Sequence, residues 1–286
     1  MTSRFDAIAI KHETSGELVS LPGHDNIRGF DLYQAVVFFD LDGTLMLDDK
    51  TVAPSSVAAI QQLKANHVLP VIATGRSVFE VADIMQWTGI DSIVSANGSY
   101  VAYQGHFLST HTIAKDLLTD LTHFANQQRV ALAYYDHTNF ALSHRDALTV
   151  KNYRVVDQQA QIQPDFYQRH QINFLLTFET MAGTQYFNRY RGHLNFVRNN
   201  PRAFDTMAWD VTKATGIQDI LTKAGLSQVP TYGFGDEMND VEMFNMVQHP
   251  VAMGNGNPRV KAFAEYVTAD NMHDGITQGL RHFDLI

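Results

Sequence analysis

Two aspartates separated by one residue are the first feature of this sequence that could do chemistry. Asp40 and Asp42 lie in the run DLDGTL at residues 40–45, directly after the apolar run AVVFF. Side chains at positions i and i+2 of an extended strand point the same way, so both carboxylates can address one site. A bare Asp-x-Asp is more often a solvated turn, but the preceding strand and Gly43, which permits a tight turn, favour a site. A carboxylate acts as a nucleophile when a cation cancels its charge, which predicts group transfer assisted by Mg²⁺.

A second acidic pair lies late in the chain. Asp236 and Asp240 belong to the run GFGDEMND at residues 233–240, and Asp236 follows a predicted strand. A helix that begins near Glu237 would bring both carboxylates toward one metal ion. The alternative is that Asp236 only caps that helix, although one residue can do both.

An anionic substrate also needs partners for its oxygens. Thr74 offers a hydroxyl, and Gly75 next to it offers a backbone donor at the start of a predicted helix. Lys213 offers a positive charge. The alternatives are a helix cap for Thr74 and a solvated surface position for Lys213. Arg76 could contact the ligand or pair with an acid of the core, and Asn97 is a candidate for substrate contact because it follows a strand.

Short apolar strands alternate with helical patterns at both ends of the sequence. The predicted strands are residues 35–39, 69–73, 231–234 and 250–253, and the predicted helices are 54–66, 77–86, 238–246 and 258–265. This alternation predicts a parallel sheet with helices on both faces. Asp40, Thr74 and Asp236 each follow a strand, and ligands bind at the carboxyl ends of the strands in such sheets.

The middle of the sequence has a different pattern. Residues 99–112, 130–143, 171–180 and 194–197 read as strands, with helices at 114–127 and 181–191. These elements predict an inserted α+β domain with an antiparallel sheet at 98–207, which divides the core into 35–97 and 208–286. The first 34 residues contain two apolar runs that could form a hairpin at the edge of the core.

Composition limits the classes of function. The chain has 286 residues, a net charge of −9, an estimated pI of about 5.7 and no cysteine. Disulfides, thiolate metal sites and a cysteine nucleophile are therefore excluded. The absence of a basic run argues against nucleic acid, and no apolar run is long enough to span a membrane. The N-terminus does not resemble a signal peptide, so a cytoplasmic location is expected.

In this order, the motifs resemble the haloacid-dehalogenase (HAD) superfamily, in its Cof-type branch of sugar-phosphate and cofactor phosphatases. The matching segments are DLDGTL at 40–45, TGR at 74–76, Lys213 and GDEMND at 235–240, with ANG at 96–98, VAMGNG at 251–256, Asn271 and DGI at 274–276. The resemblance runs from about Val36 to the C-terminus. It implies a Rossmann-like core with a cap domain inserted between the second and third motifs.

The resemblance also implies a role for each matching residue. Asp40 would attack phosphorus and become an aspartyl-phosphate, and Asp42 would serve first as general acid and then as general base. Thr74 and Lys213 would hold the phosphoryl group, with support from Asn239. The Mg²⁺ ion would be held by the Asp40 carboxylate, the Asp42 backbone carbonyl, Asp236 and Asp240.

These residues leave three activities open. A phosphatase acting on a small phosphomonoester is the leading hypothesis. A phosphotransferase or phosphomutase could use the same aspartyl-phosphate, and a non-catalytic regulator could bind a phosphometabolite on the same scaffold. Hexose phosphates, polyol phosphates, flavin mononucleotide and pyridoxal phosphate all fit as substrates, and the sequence does not indicate an oligomeric state.

Overall fold

The computed structural model describes residues 32–155, 160–180 and 183–286, so the hairpin expected in the first 34 residues lies almost entirely outside the described residues. The described strands form two sheets. The core sheet contains β1 Ala35–Phe39, β2 Val68–Ala73, β3 Ile93–Ser95, β4 Tyr100–Tyr103, β5 His106–Thr110, β12 Thr231–Gly235, β13 His249–Ala252 and β14 Tyr266–Val267. The cap sheet contains β6 Leu132–Tyr135, β7 Phe140–Leu142, β8 Gln161–Ile162, β9 Phe174–Thr177, β10 Leu194–Asn200 and β11 Ala203–Ala208.

The core sheet has the strand order β14-β13-β12-β1-β2-β3-β4-β5. All pairs from β14 to β3 are parallel, whereas β4 and β5 pair antiparallel at one end. The chain runs from β1 through β2 to β3 on one side and later returns to β12 on the other side of β1. The strand order therefore reverses between β1 and β12, which is where open α/β sheets bind ligands.

Helices cover both faces of the core sheet. The described helices are α1 Pro54–Ala65, α2 Ala82–Thr88, α3 Lys115–Gln127, α4 Ala147–Val155, α5 Phe166–Arg169, α6 Thr184–Arg189, α7 Lys213–Lys223, α8 Val241–Met246, α9 Pro258–Lys261 and α10 Gly275–His282. In β1, Val37 and Phe39 face α1, α2 and α10, while Val36 and Phe38 face α7 and α8. Burial on both faces is why this strand is continuously apolar.

The cap sheet has the order β10-β11-β9-β6-β7-β8 and is antiparallel except for a short parallel pairing of β7 with β8. One face packs against α3, α5 and α6. The opposite face is rich in aromatic side chains and contacts the core through Phe79, whose ring stacks 6.2 Å from Tyr135 and from Phe140.

The predicted fold class is confirmed: a parallel Rossmann-like sheet with helices on both faces, plus a second, largely antiparallel sheet. The strand expected at 99–112 is a hairpin, β4 and β5, and it belongs to the core sheet because β4 pairs with β3. The first residues of the segment assigned to the insertion therefore lie in the core sheet.

Several elements differ from the sequence-based expectation. The helices expected at 77–86 and 238–246 each begin with a 3₁₀ turn, and the helix expected at 258–265 ends at Lys261. The sequence pattern did not predict strands β8, β11 and β14 or helices α4, α5, α7 and α10. Helix α7 contains Gly216, and a glycine weakens the helical pattern of a sequence. The structure needs glycine there because a Cβ would lie 2.4 Å from the Val94 side chain.

Within the described ranges, every helix is too short or too polar to cross a membrane.

Candidate active site

The first acidic motif begins where β1 ends. The register pairs Phe39 with Phe234, and the Asp40 N–H donates to the Phe234 carbonyl at 2.9 Å. Asp40 and Asp236 are therefore the first residues beyond two neighbouring strands. Gly43 then turns the chain with φ of +82°, and a Cβ there would lie 2.3 Å from Asp236 Oδ2. Both the left-handed conformation and the lack of space require glycine at this position.

Three side chains hold the first motif against the later loops. The Thr44 hydroxyl donates to Asp236 Oδ1 at 2.9 Å. Asn255 donates to the Gly43 carbonyl at 2.7 Å, and Asn271 donates to the Met46 carbonyl at 2.8 Å. Asn255 and Asn271 were noted in the sequence as features of the family, but these contacts could not be predicted because the partner carbonyls lie more than 200 residues away in the chain.

Lys213 is the first residue of α7 and is only 1% exposed. Its ammonium donates to Asp40 Oδ1 at 2.5 Å and to Asp240 Oδ1 at 2.6 Å. Burial lowers the pKa of Lys213, but Asp240 and Asp40 together outweigh burial and raise it above its ordinary value. Lys213 is therefore a buried cation between two carboxylates, and the alternative of a solvated surface lysine is excluded.

Asp240 fixes the loop that carries Asp236. Its Oδ2 accepts from the backbone N–H groups of Asp236 and Glu237 at 2.9 and 3.0 Å, while its Oδ1 is bonded to Lys213. Both oxygens already have partners, and the side chain that caps the following turn is Glu237, not Asp236. The Asp236 carboxylate accepts a hydrogen bond from Thr44 and faces Gly43 instead.

Asp40, Asp236 and Asp240 bring one oxygen each within 4.8 Å of the others, and all three are buried. Burial and the charge of Asp240 raise the pKa of Asp40 well above its ordinary value, and the same causes raise the pKa of Asp236 to about 7. One lysine cannot neutralise three buried carboxylates. The excess negative charge and the all-oxygen donor set fit a hard divalent metal ion, which Asp40 and Asp236 would bind directly.

A pH effect follows for the metal-free protein. The pKa of Asp236 is about 7 in the folded chain and near 3.8 in an unfolded one. The folded state therefore binds more protons between these values, and the stabilisation from neutral Asp236 is lost as pH rises through about 7. We expect the free energy of unfolding of wild type relative to Asp236→Asn to fall between about pH 4 and about pH 8, measured by urea denaturation in EDTA. A difference that does not change with pH would contradict this assignment.

Asp42 has a different environment from Asp40. Its side chain is 46% exposed. Arg76 donates to both of its oxygens at 2.6 and 2.7 Å, and Lys50 donates to Oδ1 at 2.9 Å. Burial raises the pKa of Asp42, but the bonds and charges of Arg76 and Lys50 outweigh it, so the pKa is lowered. Arg76 thus pairs with an acid of the core, one of its two expected roles, while Lys50 was not expected at the site.

The segment Thr74–Arg76, here called the phosphate loop, follows β2 and lies beside β3. The Thr74 hydroxyl accepts from the Arg76 N–H at 3.1 Å, so its own hydrogen can be donated elsewhere. Gly75 lies next to Asn97, which is buried in the turn after β3. Asn239 is half-buried in the 3₁₀ turn that precedes α8. The structure therefore brings Asp40, Asp236, Asp240 and Lys213 into contact and places Asn97 against the phosphate loop.

Buried carboxylates and one buried lysine lie at the reversal point of a parallel sheet, next to a cap sheet that is inserted between two parts of the core. The chain belongs to the family of haloacid dehalogenase-like hydrolases, which matches residues 37–280. The family and the phosphatase class predicted from the sequence are confirmed.

Individual relatives agree with this placement. The chain is 27% identical over 273 residues to the 5-amino-6-(5-phospho-D-ribitylamino)uracil phosphatase YitU of Bacillus subtilis, covering 87% of this chain and 97% of that protein. It is 28% identical over 254 residues to a Streptococcus pyogenes protein to which phosphatase and peptidyl-prolyl cis-trans isomerase activities are ascribed. That match covers 88% of this chain but only 54% of the Streptococcus protein.

A solved structure of a hypothetical protein from Geobacillus kaustophilus HTA426 has the same fold. It superposes with a TM-score of 0.82 at 31% identity, covering 89% of this chain and all of that chain. The similarity therefore includes both the core and the cap.

Proposed function

We propose that this protein is a Mg²⁺-dependent phosphatase that hydrolyses a small phosphomonoester through an aspartyl-phosphate on Asp40. The observation that carries the proposal is the contact of Asp40 with Lys213 beside Asp236. A nucleophilic carboxylate, a cation for the phosphoryl oxygens and a second carboxylate for the metal then occupy one buried site. The Mg²⁺ ion would be held by Asp40, Asp236 and the Asp42 carbonyl, and it would neutralise charge on the phosphoryl group.

In the first step, a carboxylate oxygen of Asp40 attacks phosphorus, and the bond from phosphorus to the leaving oxygen breaks. Asp42 donates its proton to that oxygen. Asp42 is ionised between Arg76 and Lys50 in the free protein, but a phosphate dianion beside it raises its pKa and allows it to carry the proton. Lys213 and the Thr74 hydroxyl stabilise the negative oxygens of the transferring group.

In the second step, Asp42 acts as the base. Its carboxylate takes a proton from water, the water oxygen attacks phosphorus, and the bond from phosphorus to Asp40 breaks. Inorganic phosphate leaves and Asp40 is restored. The half-exposed position of Asp42 favours hydrolysis over the mutase alternative, because water reaches the base directly.

The test is phosphate release from a panel of phosphomonoesters with Mg²⁺, with EDTA and with Ca²⁺. We expect release with Mg²⁺, loss with EDTA and recovery when Mg²⁺ is restored. Ca²⁺ is expected to support little activity because its looser coordination spoils in-line geometry. Rearranged product without free phosphate would favour a mutase, and tight ligand binding without turnover in Mg²⁺ would favour a regulator.

For the substrate, we propose a sugar phosphate or a phosphorylated cofactor or cofactor precursor. The aromatic face of the cap sheet packs against Phe79, which follows the phosphate loop, so we place the leaving group near this junction of core and cap. The named activity of the relative YitU, on a phosphorylated ribitylaminouracil, supports inclusion of a compound of that kind in the panel.

A further inference from the structure

The turn after β3 is bonded to the phosphate loop. The Ala96 N–H donates to the Arg76 carbonyl at 2.8 Å, and the Asn97 N–H donates to the Thr74 carbonyl at 3.0 Å. Both bonds use backbone atoms, so they hold the turn in place and leave the Asn97 side chain available for other contacts. The loop that is proposed to bind the phosphate therefore also positions Asn97.

The same turn packs against the start of α7. Gly98 has φ of +95°, and a Cβ there would lie 2.0 Å from the carbonyl oxygen of Thr212, the residue before Lys213. Asn97 has φ of +51°, a left-handed conformation that asparagine adopts more readily than most residues. Asn97 is thus fixed between the phosphate loop and the helix that begins with Lys213.

The partner of Asn97 on the cap sheet determines how its amide is oriented. Asn97 is 4% exposed, and its Nδ2 donates to Asp205 Oδ2 on β11 at 2.8 Å. An ionised carboxylate only accepts hydrogen bonds, so the amide nitrogen, and not the amide oxygen, faces Asp205. The amide oxygen Oδ1 is buried and has no hydrogen-bond partner among the described residues. A buried acceptor without a donor is unfavourable, and a donor on a ligand would remove this cost.

The Asn97 amide lies beside the phosphate loop and against the cap. A Cβ built on Gly75 would be 3.2 Å from both Oδ1 and Nδ2 of Asn97, so both polar atoms of the amide adjoin the residue that follows Thr74. From the cap, Asp205 and Met207 of β11 contact Nδ2, at 2.8 Å and 4.0 Å. A substrate therefore reaches Oδ1 when the cap moves away from the core, and closure of the cap restores the bond that orients the amide.

We propose that Asn97 Oδ1 selects phosphomonoesters whose leaving group carries a hydrogen-bond donor, such as a hydroxyl, on the carbon next to the phosphorylated one. This inference rests on the proposed function and narrows its substrate class. Oδ1 adjoins the phosphate loop, so the donor must lie close to the ester oxygen. A group that only accepts, such as an ether oxygen, would leave Oδ1 buried without a partner and beside a second acceptor.

This requirement separates the substrates that the sequence left open. Polyol phosphates and flavin mononucleotide carry a hydroxyl on the carbon next to the phosphorylated one. In the pyranose form of a hexose 6-phosphate, that carbon carries the ring oxygen, and in pyridoxal phosphate it is an aromatic carbon without a donor. We therefore expect polyol phosphates and flavin mononucleotide to be preferred, because only they can satisfy Asn97 Oδ1 from this carbon.

The test compares substrates that differ in one group on this carbon. The first pair is glycerol 3-phosphate and 3-hydroxypropyl phosphate, which lacks only the middle hydroxyl. The second pair is 2-hydroxyethyl phosphate and 2-methoxyethyl phosphate, in which an ether replaces the hydroxyl. Each compound is assayed with Mg²⁺ by phosphate release. We expect kcat/KM to be higher for the compound with the donor in at least one pair, by about tenfold or more.

Two variants connect this preference to Asn97. Asn97→Gly removes the amide and tolerates the left-handed backbone, and it is expected to bring the ratio within that pair close to one. Asn97→Asp loses the donor to Asp205 but keeps an acceptor, so it is expected to lower both rates and to retain part of the ratio. Both variants break the bond to Asp205, so a purely structural contact between core and cap would change both members of a pair equally.

The outcomes separate this inference from the proposed function. A ratio in Asn97→Gly equal to that of wild type would overturn the inference. Equal rates within both pairs in the wild type, or no release from either pair, would also overturn it if p-nitrophenyl phosphate is hydrolysed. No release from any compound, p-nitrophenyl phosphate included, would remove the proposed function and this inference together. Asn97→Ala provides the second variant, with the same expected ratio, if Asn97→Gly does not fold.

Discussion

Asp40→Asn is expected to abolish phosphate release, with a loss of about 10⁴-fold or more, the range found when a catalytic nucleophile is removed. The amide is a poor nucleophile, so no aspartyl-phosphate can form, and it is also a weaker metal ligand. Residual rate from Lys213, Thr74 and the metal would be small because these groups only stabilise a transfer that needs an attacking oxygen. The measurement is kcat/KM with saturating Mg²⁺ for the best substrate of the panel.

Loss of activity in this variant should not result from unfolding. Asp40 is one of three neighbouring buried carboxylates, of which Lys213 pairs with two, so the substitution reduces the excess negative charge. In EDTA we expect Asp40→Asn to unfold at the same urea concentration as the parent or at a higher one. Asp116→Asn is the matched control because it makes the same change at an exposed position of α3, and full activity is expected there. Parent-like turnover by purified Asp40→Asn would refute the proposed mechanism.

Lys213→Met is expected to cause the largest loss of stability. The substitution keeps most of the side chain's volume but leaves Asp40 and Asp240 buried without their cation. Breaking a buried ion pair from one side typically costs about 3–5 kcal/mol, and we expect a loss of this size in the free energy of unfolding in EDTA. Activity should be lost as well, because the phosphoryl oxygens lose their positive partner.

Helix α7 offers a control for this prediction. Lys223 lies at the other end of the same helix, has a side chain that is 43% exposed, and pairs with Asp219 at 3.0 Å. Surface pairs contribute about 0–1 kcal/mol, so Lys223→Met should change stability by no more than that. Adding Asp240→Asn to Lys213→Met should recover part of the loss, because the two changes act on one charge network. Equal losses of unfolding free energy in Lys213→Met and Lys223→Met would show that Lys213 does not neutralise buried carboxylates.

The meeting of Asp40 and Asp236 could be predicted from the sequence. Each follows an apolar strand of a βα unit, and parallel strands bring their carboxyl ends to one edge of the sheet. The burial of Lys213 could not be predicted, because the residues around it have no apolar pattern and its partners come from two other elements. The hydrogen bond from Asn97 to Asp205 was missed for a similar reason: β11 was not predicted, since its Asp205 and Thr206 are polar side chains buried in the sheet.

The sequence pattern also could not predict which of the two sheets contains β4 and β5. Their sequence fits an edge hairpin in either sheet, and only the pairing of β4 with β3 assigns them to the core. The bond between Arg76 and Asp42 was one of two open alternatives because an arginine after a strand can reach a ligand or a neighbouring acid equally well. Side-chain packing, rather than local pattern, decided between them.

The pairing of β1 with β12 has a consequence for how the protein is made. Val36 lies beside Thr231, about 195 residues later in the chain, and the cap sheet lies between them in sequence. Contacts of such long sequence separation form slowly, whereas the pairings within the cap are more local. During synthesis, the cap can fold on the ribosome before β12 has emerged. Asp40 therefore meets Asp236 only after β12 has been made, so a chain that ends before β12 cannot assemble the proposed active site.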